Sequence, residues 1–295
     1  MIINKQFQDR IHARGDVITN WQGRMLSPSL YYSHRCTDYT RDTYPLGMHF
    51  HDYAELVIVA AGDIRYMCGN ASRVMKPWDA VLVPGGQMHA SAILTDRTCY
   101  DRHVIYFYAH SLDPWGGRAL MEPLTGTEGP FLSLPRERRP ELQQLLTRLE
   151  RAANGTAEAD MACAGGILLE IFYLLGKAVR RQDRGEEWLP EKTASIRDYV
   201  DSHFTEIADV SQVAEHFFYS REYVSRLFRR DLGITPADYI RKRRISAAQQ
   251  WMAEGLPLAD ICYKAGFGSL SAFTRSFREE TGMTPSEYRK TLKRY

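Results

Sequence analysis

Between residue 29 and about residue 110 the chain alternates short apolar runs with Gly, Pro and Asp breaks, as in LVIVAAG, AVLVPGG and HVIYFYAHS. Runs punctuated in this way predict short antiparallel strands closed into a sandwich or barrel. Beyond residue 136 the period changes. In PELQQLLTRLERAANG, Leu142, Leu145, Leu146 and Leu149 fall at i, i+3, i+4 and i+7, which predicts an amphipathic helix started by Pro140 and closed near Gly155. A second helix is expected over about 157–181. Its apolar run GILLEIFYLLG is interrupted by Glu170 and reaches only about half of the ~20 residues a bilayer demands, so it predicts a buried helix. The polar stretch RRQDRGEEWLPEK, broken by Gly185 and Pro190, reads as a linker, and everything after it reads as helix.

The helical half repeats itself. FRRDLGITPADY (228–239) matches FREETGMTPSEY (277–288) at an offset of 49 residues, and the match runs back through Arg226 and Arg275 to Ser220 and Ser269. Before those serines the offset falls to 48, because AGFGS has one residue more than FFYS. One supersecondary unit is therefore used twice. In the first copy Asp209 and Gln212 form a capping-box pattern for a short helix carrying Val213, Ala214 and Phe217; a second helix with the inward stripe Val224, Leu227 and Phe228 ends at Gly233. In the second copy Ile261 and Cys262 take the first helix's apolar positions, Phe273 and Phe277 line the second, and Gly282 ends it. Thr235-Pro236 and Thr284-Pro285 then restart a helix in both copies.

Two short helices joined by a tight turn, the second presenting polar and basic side chains, make a helix-turn-helix pattern. The outward positions are Arg221, Glu222, Ser225, Arg226, Arg229 and Arg230 in the first copy, and Leu270, Ser271, Thr274, Arg275 and Arg278 in the second. Arginine forks reach phosphates and the guanine edge, hydroxyls bond phosphates, and Leu meets a thymine methyl. A helical bundle with solvated arginines is the bland alternative; two copies with matched arginines argue against it.

On these residues the segment 193–290 resembles the DNA-binding domain of the AraC/XylS family of bacterial transcription regulators, on the strength of IRDYVDSHF, VSQVAEHFFYSREYVSRLFRRDLGITPADYIRKRRISAAQQWM and ICYKAGFGSLSAFTRSFREETGMTPSEYR. The resemblance implies two helix-turn-helix units (about 210–231 and 258–281) in a domain spanning 193–291. A long helix over about 236–254 would join them, and both recognition helices would enter adjacent major grooves of double-stranded DNA. It implies base contacts from Glu222, Ser225 and Arg226 and from Leu270, Ser271 and Arg275. A contact from the acidic Glu222 would be to a cytosine amine, unless it pairs with a neighbouring arginine instead.

The N-terminal half resembles the cupin-like sensor domain of the same family. His49-x-His51, Glu55, Gly62 and then Pro84-x-Gly86-x-x-His89 follow the cupin metal spacing, with Trp78 standing where a glycine opens the second motif and Ile93 where a polar residue often ends it. Along an extended strand His49, His51 and Glu55 would share a face, and His89 could close the set from a neighbour. Three readings compete. These residues hold a divalent transition metal, catalytic or ligand-binding; they hydrogen-bond a small polar effector against aromatic walls such as Trp21, Tyr53, Tyr106 or Tyr108; or they are satisfied core polar groups.

Composition narrows the rest. The 295 residues suffice for two domains, and 44% hydrophobic with 25% charged residues is a globular mixture. MIINKQFQDR lacks the apolar run of an export signal, so a cytoplasmic protein with no membrane partner is expected. The five cysteines are widely spaced, which argues against a disulfide framework or zinc knuckle. Net charge is +2; residues 191–295 hold 17 basic against 14 acidic side chains and the remainder 21 against 22, too weak an asymmetry to announce a nucleic-acid partner.

The sequence thus predicts a multidomain chain: an all-β cupin-like (jelly-roll) barrel with flanking helices over residues 1–135, a helical dimerisation or packing segment at 136–182, a linker at 183–192 and the all-α double helix-turn-helix domain. The expected function is a sequence-specific transcription regulator, an activator, responsive to a small polar effector such as a carbohydrate. A homodimer is expected, with RNA polymerase as the partner of an activator. No catalytic residue is assigned and no cofactor beyond the metal alternative; the competing class is a metal-dependent cupin enzyme fused to a DNA-binding domain.

Overall fold

A computed structural model of the chain describes residues 20–27, 30–40, 48–69, 71–108, 112, 116–122, 124, 130–178, 186–187 and 189–292. It divides into two compact units, one built on strands and one on helices.

In the first unit, strands β1 (Asn20–Ser27), β2 (Leu30–Thr40), β3 (Ala54–Ala61), β4 (Ile64–Cys68), β5 (Ala71–Val74), β6 (Asp79–Val83), β7 (His89–Ile93), β8 (Arg97–Phe107), β9 (Phe131–Ser133) and β10 (Glu186–Glu187) form two antiparallel sheets. The larger runs β1-β2-β8-β3-β6-β9 and the smaller β10-β5-β4-β7. Part of the expected linker, Glu186–Glu187, is therefore a sheet edge paired with β5; residues 183–185 and 188 lie outside the described ones.

The large sheet has two different faces because side chains alternate along a strand. Tyr31, Val57, Val81, Val104 and Tyr106 face one way and pack with Ile64, Tyr66 and Cys68 of the small sheet. Tyr32, Leu56, Ile58, Leu82, Ile105 and Phe107 face the other way and meet helices α2 (Arg139–Asn154) and α3 (Glu158–Ala178), which follow a one-turn α1 (Gly117–Met121). The leucine stripe of α2 lies in this core: Leu142, Leu145, Leu146 and Leu149 are all buried within the chain. The stripe is thus a packing surface, not the dimer seam that remained open in the sequence. By length and composition α3 could cross a membrane; in the fold Ile167, Leu168, Ile171, Phe172 and Leu175 are buried in the same core.

A polar patch continues the helix-covered face. His34 on β2 sits between Asp101 of β8 (Nε2 to Oδ1, 2.7 Å) and Glu150 of α2 (Nδ1 to Oε1, 3.0 Å). It also stacks on His103 at 4.2 Å, whose Nδ1 hydrogen-bonds the Tyr32 hydroxyl at 2.9 Å. The Asp101 hydrogen bond, against some loss from burial, raises the His34 pKa to about 9, while burial drives His103 down to about 3. The clamp ties a helix to the sheet through one proton.

Trp78 occupies the place where the cupin pattern carries glycine, and its φ of 74° explains the pattern: a side chain there holds a left-handed backbone that glycine adopts freely.

The second unit comprises α4 (Glu191–His203), α5 (Val210–His216), α6 (Arg221–Leu232), α7 (Pro236–Ala253), α8 (Leu258–Lys264), α9 (Leu270–Thr281) and α10 (Pro285–Leu292). The repeat holds atom by atom. Ser220 caps α6 by accepting from the Tyr223 amide (3.1 Å), and Ser269 caps α9 by accepting from Ala272 (3.2 Å). Gly233 and Gly282 end those helices at φ 71° and 76°. Thr235 accepts from the Asp238 amide at 3.1 Å and Thr284 from Glu287 at 3.3 Å. At α5 the capping box is shifted: Asp209 accepts from Ser211 and Gln212 amides, but Gln212 Oε1 accepts from the Ala208 amide rather than from Asp209. The reach of the longer side chain takes it one residue past the cap.

The turns differ in one respect. Tyr219 N–H donates to Ala214 O (2.9 Å) and Phe218 N–H to Glu215 O (3.1 Å); Phe267 to Cys262 (3.1 Å) and Gly266 to Tyr263 (2.9 Å) repeat the pattern. This double bond pattern is a Schellman ending, which places one residue in the left-handed region. In the second copy that residue is Gly266 (φ 78°); in the first it is Phe218 (φ 56°), 96% exposed.

Two stability measurements follow. Because the folded-state pKa of His34 is raised from an unfolded 6.5 to about 9, its contribution is complete below pH 6.5 and is lost as pH rises through about 9. His34→Gln should therefore be less stable than the wild type near neutral pH and should converge with it above that window in urea titrations. Phe218→Gly should stabilise by roughly 1 kcal/mol by removing left-handed strain. Gly266→Ala should destabilise by more than ~1 kcal/mol, since its methyl would run into the Thr205 carbonyl oxygen; thermal denaturation reads both signs.

Candidate functional sites

Two surface grooves form on the helical unit, one over each second helix of the repeat. The first is lined by Arg221, Glu222, Ser225, Arg226, Arg229 and Arg230 of α6. The second is lined by Leu270, Ser271, Thr274, Arg275 and Arg278 of α9, with Glu279 and Thr284 at its margin. Every outward residue read from the repeat is thus brought onto one of these two surfaces. They are set there by the buried stripes opposite: Val224, Leu227, Phe228 and Leu232 on α6, and Phe273, Phe277 and Thr281 on α9.

The charges are sorted as well. Arg230 is held by its neighbour Asp231, Nε to Oδ1 at 2.6 Å, and Asp231 also accepts from Thr193 at 2.6 Å. The basic run of α7 is engaged inside the unit. Arg241 bonds Glu279 (2.9 Å) and Asp238 (2.9 Å), and Lys242 bonds Glu280 (2.7 Å). Arg243 pairs with Asp201 (2.7 Å), and Arg244 donates to the Phe204 and Ile207 carbonyls (2.8 and 2.6 Å). Asp201 also accepts from Tyr239 at 3.0 Å, and burial raises its pKa even so. By contrast, among the described residues no carboxylate lies within ion-pair distance of Arg226, Arg229, Arg275 or Arg278. Arg226 only leans over the Tyr223 ring, 5.4 Å from its centroid. Four guanidinium groups on two parallel-built surfaces remain available for an external anion.

The expected arrangement of His49, His51 and Glu55 along one strand is corrected; of the three, only Glu55 groups with the strand unit. His49 and His51 precede β3, separated from it by a bend at Asp52 and Tyr53, and only Glu55 lies on the strand. The bend turns both imidazoles out of strand alternation, yet the Gly86 amide donates to the His51 carbonyl at 2.6 Å and fixes that loop. His49 and His51 fall in one compact unit and His89 in the other, so the set expected from the cupin spacing is not contained in the strand unit. Within the strand unit, Glu55 Oε2 is 3.0 Å from His89 Nε2.

The barrel interior adds residues that sequence reading missed. Arg35 of β2 is hydrogen-bonded to Tyr106 and lies 5.9 Å from its ring centroid, and its Nε donates to Ser33 Oγ at 3.0 Å. Burial works against its charge, while the Tyr106 hydrogen bond and the Glu55 carboxylate favour the charged form. Tyr31 stacks on Tyr106 at 5.5 Å, Tyr53 meets Tyr106 at 4.8 Å and Tyr108 at 6.3 Å, and Tyr66 stacks parallel to His89 at 6.3 Å. Burial, with Glu55 as the next cause, raises the phenols of Tyr66 and Tyr106, so both are neutral donors. Of the aromatic walls expected, Trp21 lies on β1 with its side chain outside the described residues. Strand parity could have pointed to Arg35, since it shares the face of Tyr31 and Ser33.

Residues 213–291 match a helix-turn-helix domain, and residues 31–171 match an AraC-like ligand binding domain. The regulatory protein SoxS of Salmonella typhimurium is 35% identical over 99 residues, 33% of this chain and 92% of that protein. The chain belongs to the AraC/XylS family of transcription regulators. The arabinose operon regulatory protein of Salmonella typhimurium is 28% identical across 73% of this chain and 76% of its own length. The transcriptional activator RhaS of an Enterobacter species is 24% identical across 82% and 86%. As an AraC/XylS regulator the chain combines a sheet-rich, cupin-like ligand-binding domain with a helical domain that binds DNA.

The sorting of charge predicts distinct mutant classes. Arg226→Ala and Arg275→Ala should each cost roughly 1–3 kcal/mol of specific DNA affinity and relax base preference in different halves of the site. Arg241→Ala should leave base preference unchanged and lower the melting temperature. Selection of binding sites from random DNA, followed by gel-shift titration at fixed salt, reads all three.

Proposed function

We propose that this AraC/XylS regulator is an activator whose barrel holds a small polyhydroxylated effector, of the sugar class, and whose α6 and α9 arginines read two adjacent major grooves. The observation that carries the effector is the barrel's inner face. A guanidinium (Arg35), a carboxylate (Glu55) and an imidazole (His89) sit among the rings of Tyr31, Tyr53, Tyr66 and Tyr106. A sugar needs that mixture: fixed donors and acceptors for its hydroxyls and flat aromatic faces for its C–H surfaces. The relatives named for the arabinose operon and as RhaS add support. The base-contacting set is Glu222, Ser225 and Arg226 with Leu270, Ser271 and Arg275, and Arg221, Arg229, Thr274 and Arg278 contribute phosphate contacts.

A cytoplasmic homodimer that engages RNA polymerase belongs to the same reading. Its dimer seam would use the outer face of α3, where Tyr173 is exposed and a methyl on Gly165 or Gly166 would meet no atom within 4 Å. The cupin spacing of His49, His51, Glu55 and His89 supports one second reading, a metal that takes part in effector binding or in turnover of the effector.

Titration calorimetry with a panel of aldoses, beginning with arabinose, should find a ligand whose affinity falls by at least roughly tenfold, about 1.4 kcal/mol, in Arg35→Ala and in Glu55→Gln. Plasma mass spectrometry on untagged protein separates the second reading. Near one equivalent of a transition metal, lost in His49→Ala, favours it; metal-free protein that still binds a sugar favours the first.

A further inference from the structure

On the helix-covered face of the large sheet, the row Tyr32, His34, Cys36 on β2 runs beside Ile105, His103, Asp101, Cys99 on β8. Cys36 is opposite Asp101 and Cys99 is opposite Asp38, so the two cysteines are diagonal neighbours on one face, within side-chain reach across a twisted pair. Their Sγ atoms are 2.8 Å apart, and neither is in a disulfide. That separation is well inside ordinary sulfur contact and within an ångström of the ~2.05 Å S–S bond length. Cys99 is exposed and Cys36 half-buried; Cys68 and Cys262 are buried, and Cys163 is exposed on α3.

We propose that Cys36 and Cys99 form a peroxide-responsive dithiol, closing to an intramolecular disulfide that links β2 to β8 beside the His34–Asp101–Glu150 clamp. The exposed Cys99 reacts first. Its thiolate attacks one oxygen of hydrogen peroxide, the S–O bond forms, the O–O bond breaks, and the departing hydroxide takes up a proton as water. The Cys36 sulfur then attacks the Cys99 sulfenic acid; S–S forms, S–O breaks, and the leaving hydroxide takes the Cys36 proton as a second water. Two electrons pass from the thiol pair to peroxide. The geometry makes the second step intramolecular, so it outruns overoxidation of Cys99. The hydrogen bond to Cys99, with burial and the nearby Asp101 and Asp38, raises the Cys36 thiol to about 12. Cys36 is thus held in the thiol form and is the second of the pair to react.

The test uses the full-length wild type with C36S, C99S and C163S variants, treated with hydrogen peroxide, quenched with a maleimide and digested without reduction. The expected result in wild type and C163S is a peptide pair joined through Cys36 and Cys99, loss of two alkylatable thiols per chain, a higher melting temperature, and reversal by excess dithiothreitol. In C36S, Cys99 should instead progress to sulfinic acid. Overoxidised Cys99 with Cys36 still alkylatable in the wild type would overturn the proposal, as would disulfides formed between chains through Cys163 in place of the Cys36–Cys99 link.

Discussion

The register between β2 and β8 is the constraint on which the strand unit depends. Tyr31 faces Tyr106 and Tyr32 faces Ile105, so alternate residues of two eleven-residue strands supply two unrelated chemistries. One face gives Arg35 and the tyrosine rings of the proposed effector pocket. The other gives Tyr32, Ile105 and Phe107 to the helices, then the His34 clamp, then the cysteine pair. A slip of one residue would exchange the faces, putting a charged guanidinium against α2 and α3 and phenylalanine into the pocket, which burial energetics forbid.

In the helical unit the comparable constraint is the pairing of basic side chains with fixed acceptors. The α7 run Arg241–Lys242–Arg243–Arg244 is held by Glu279, Glu280, Asp201 and two carbonyls, so it acts as strutting between helices. Partly buried ion pairs of this kind fix geometry more than they add stability. They tie α7 to α9 and to α4, and leave Arg226, Arg229, Arg275 and Arg278 outside the strutting. The two halves of the repeat meet the same backbone demand differently. Gly266 adopts its left-handed φ at no cost and lies too close to Thr205 for a side chain; Phe218 adopts the same conformation with its ring in solvent.

Much of this was legible in the chain. The 49-residue repeat, the Ser and Thr-Pro caps, the Gly stops and the outward arginines are local features, each set within one or two helical turns, and the structure places them as read. The barrel site was legible only in part. Spacing named His49, His51, Glu55 and His89, but treated the stretch as continuous strand, and a bend before β3 undid that. Arg35 was missed because the residues that give it meaning, Tyr106 and Glu55, are far away in sequence.

By itself the sequence determined the family, the two-part architecture and the surfaces of α6 and α9, because periodicity, capping and repetition act over short ranges. Only the tertiary structure decided which basic residues are struts, that the α2 leucines belong to the core, that Glu55 lies against His89, and that Cys36 meets Cys99. Each of those depends on strand register or helix packing, where the partner lies tens of residues away and a side chain's role is set by what the fold brings against it.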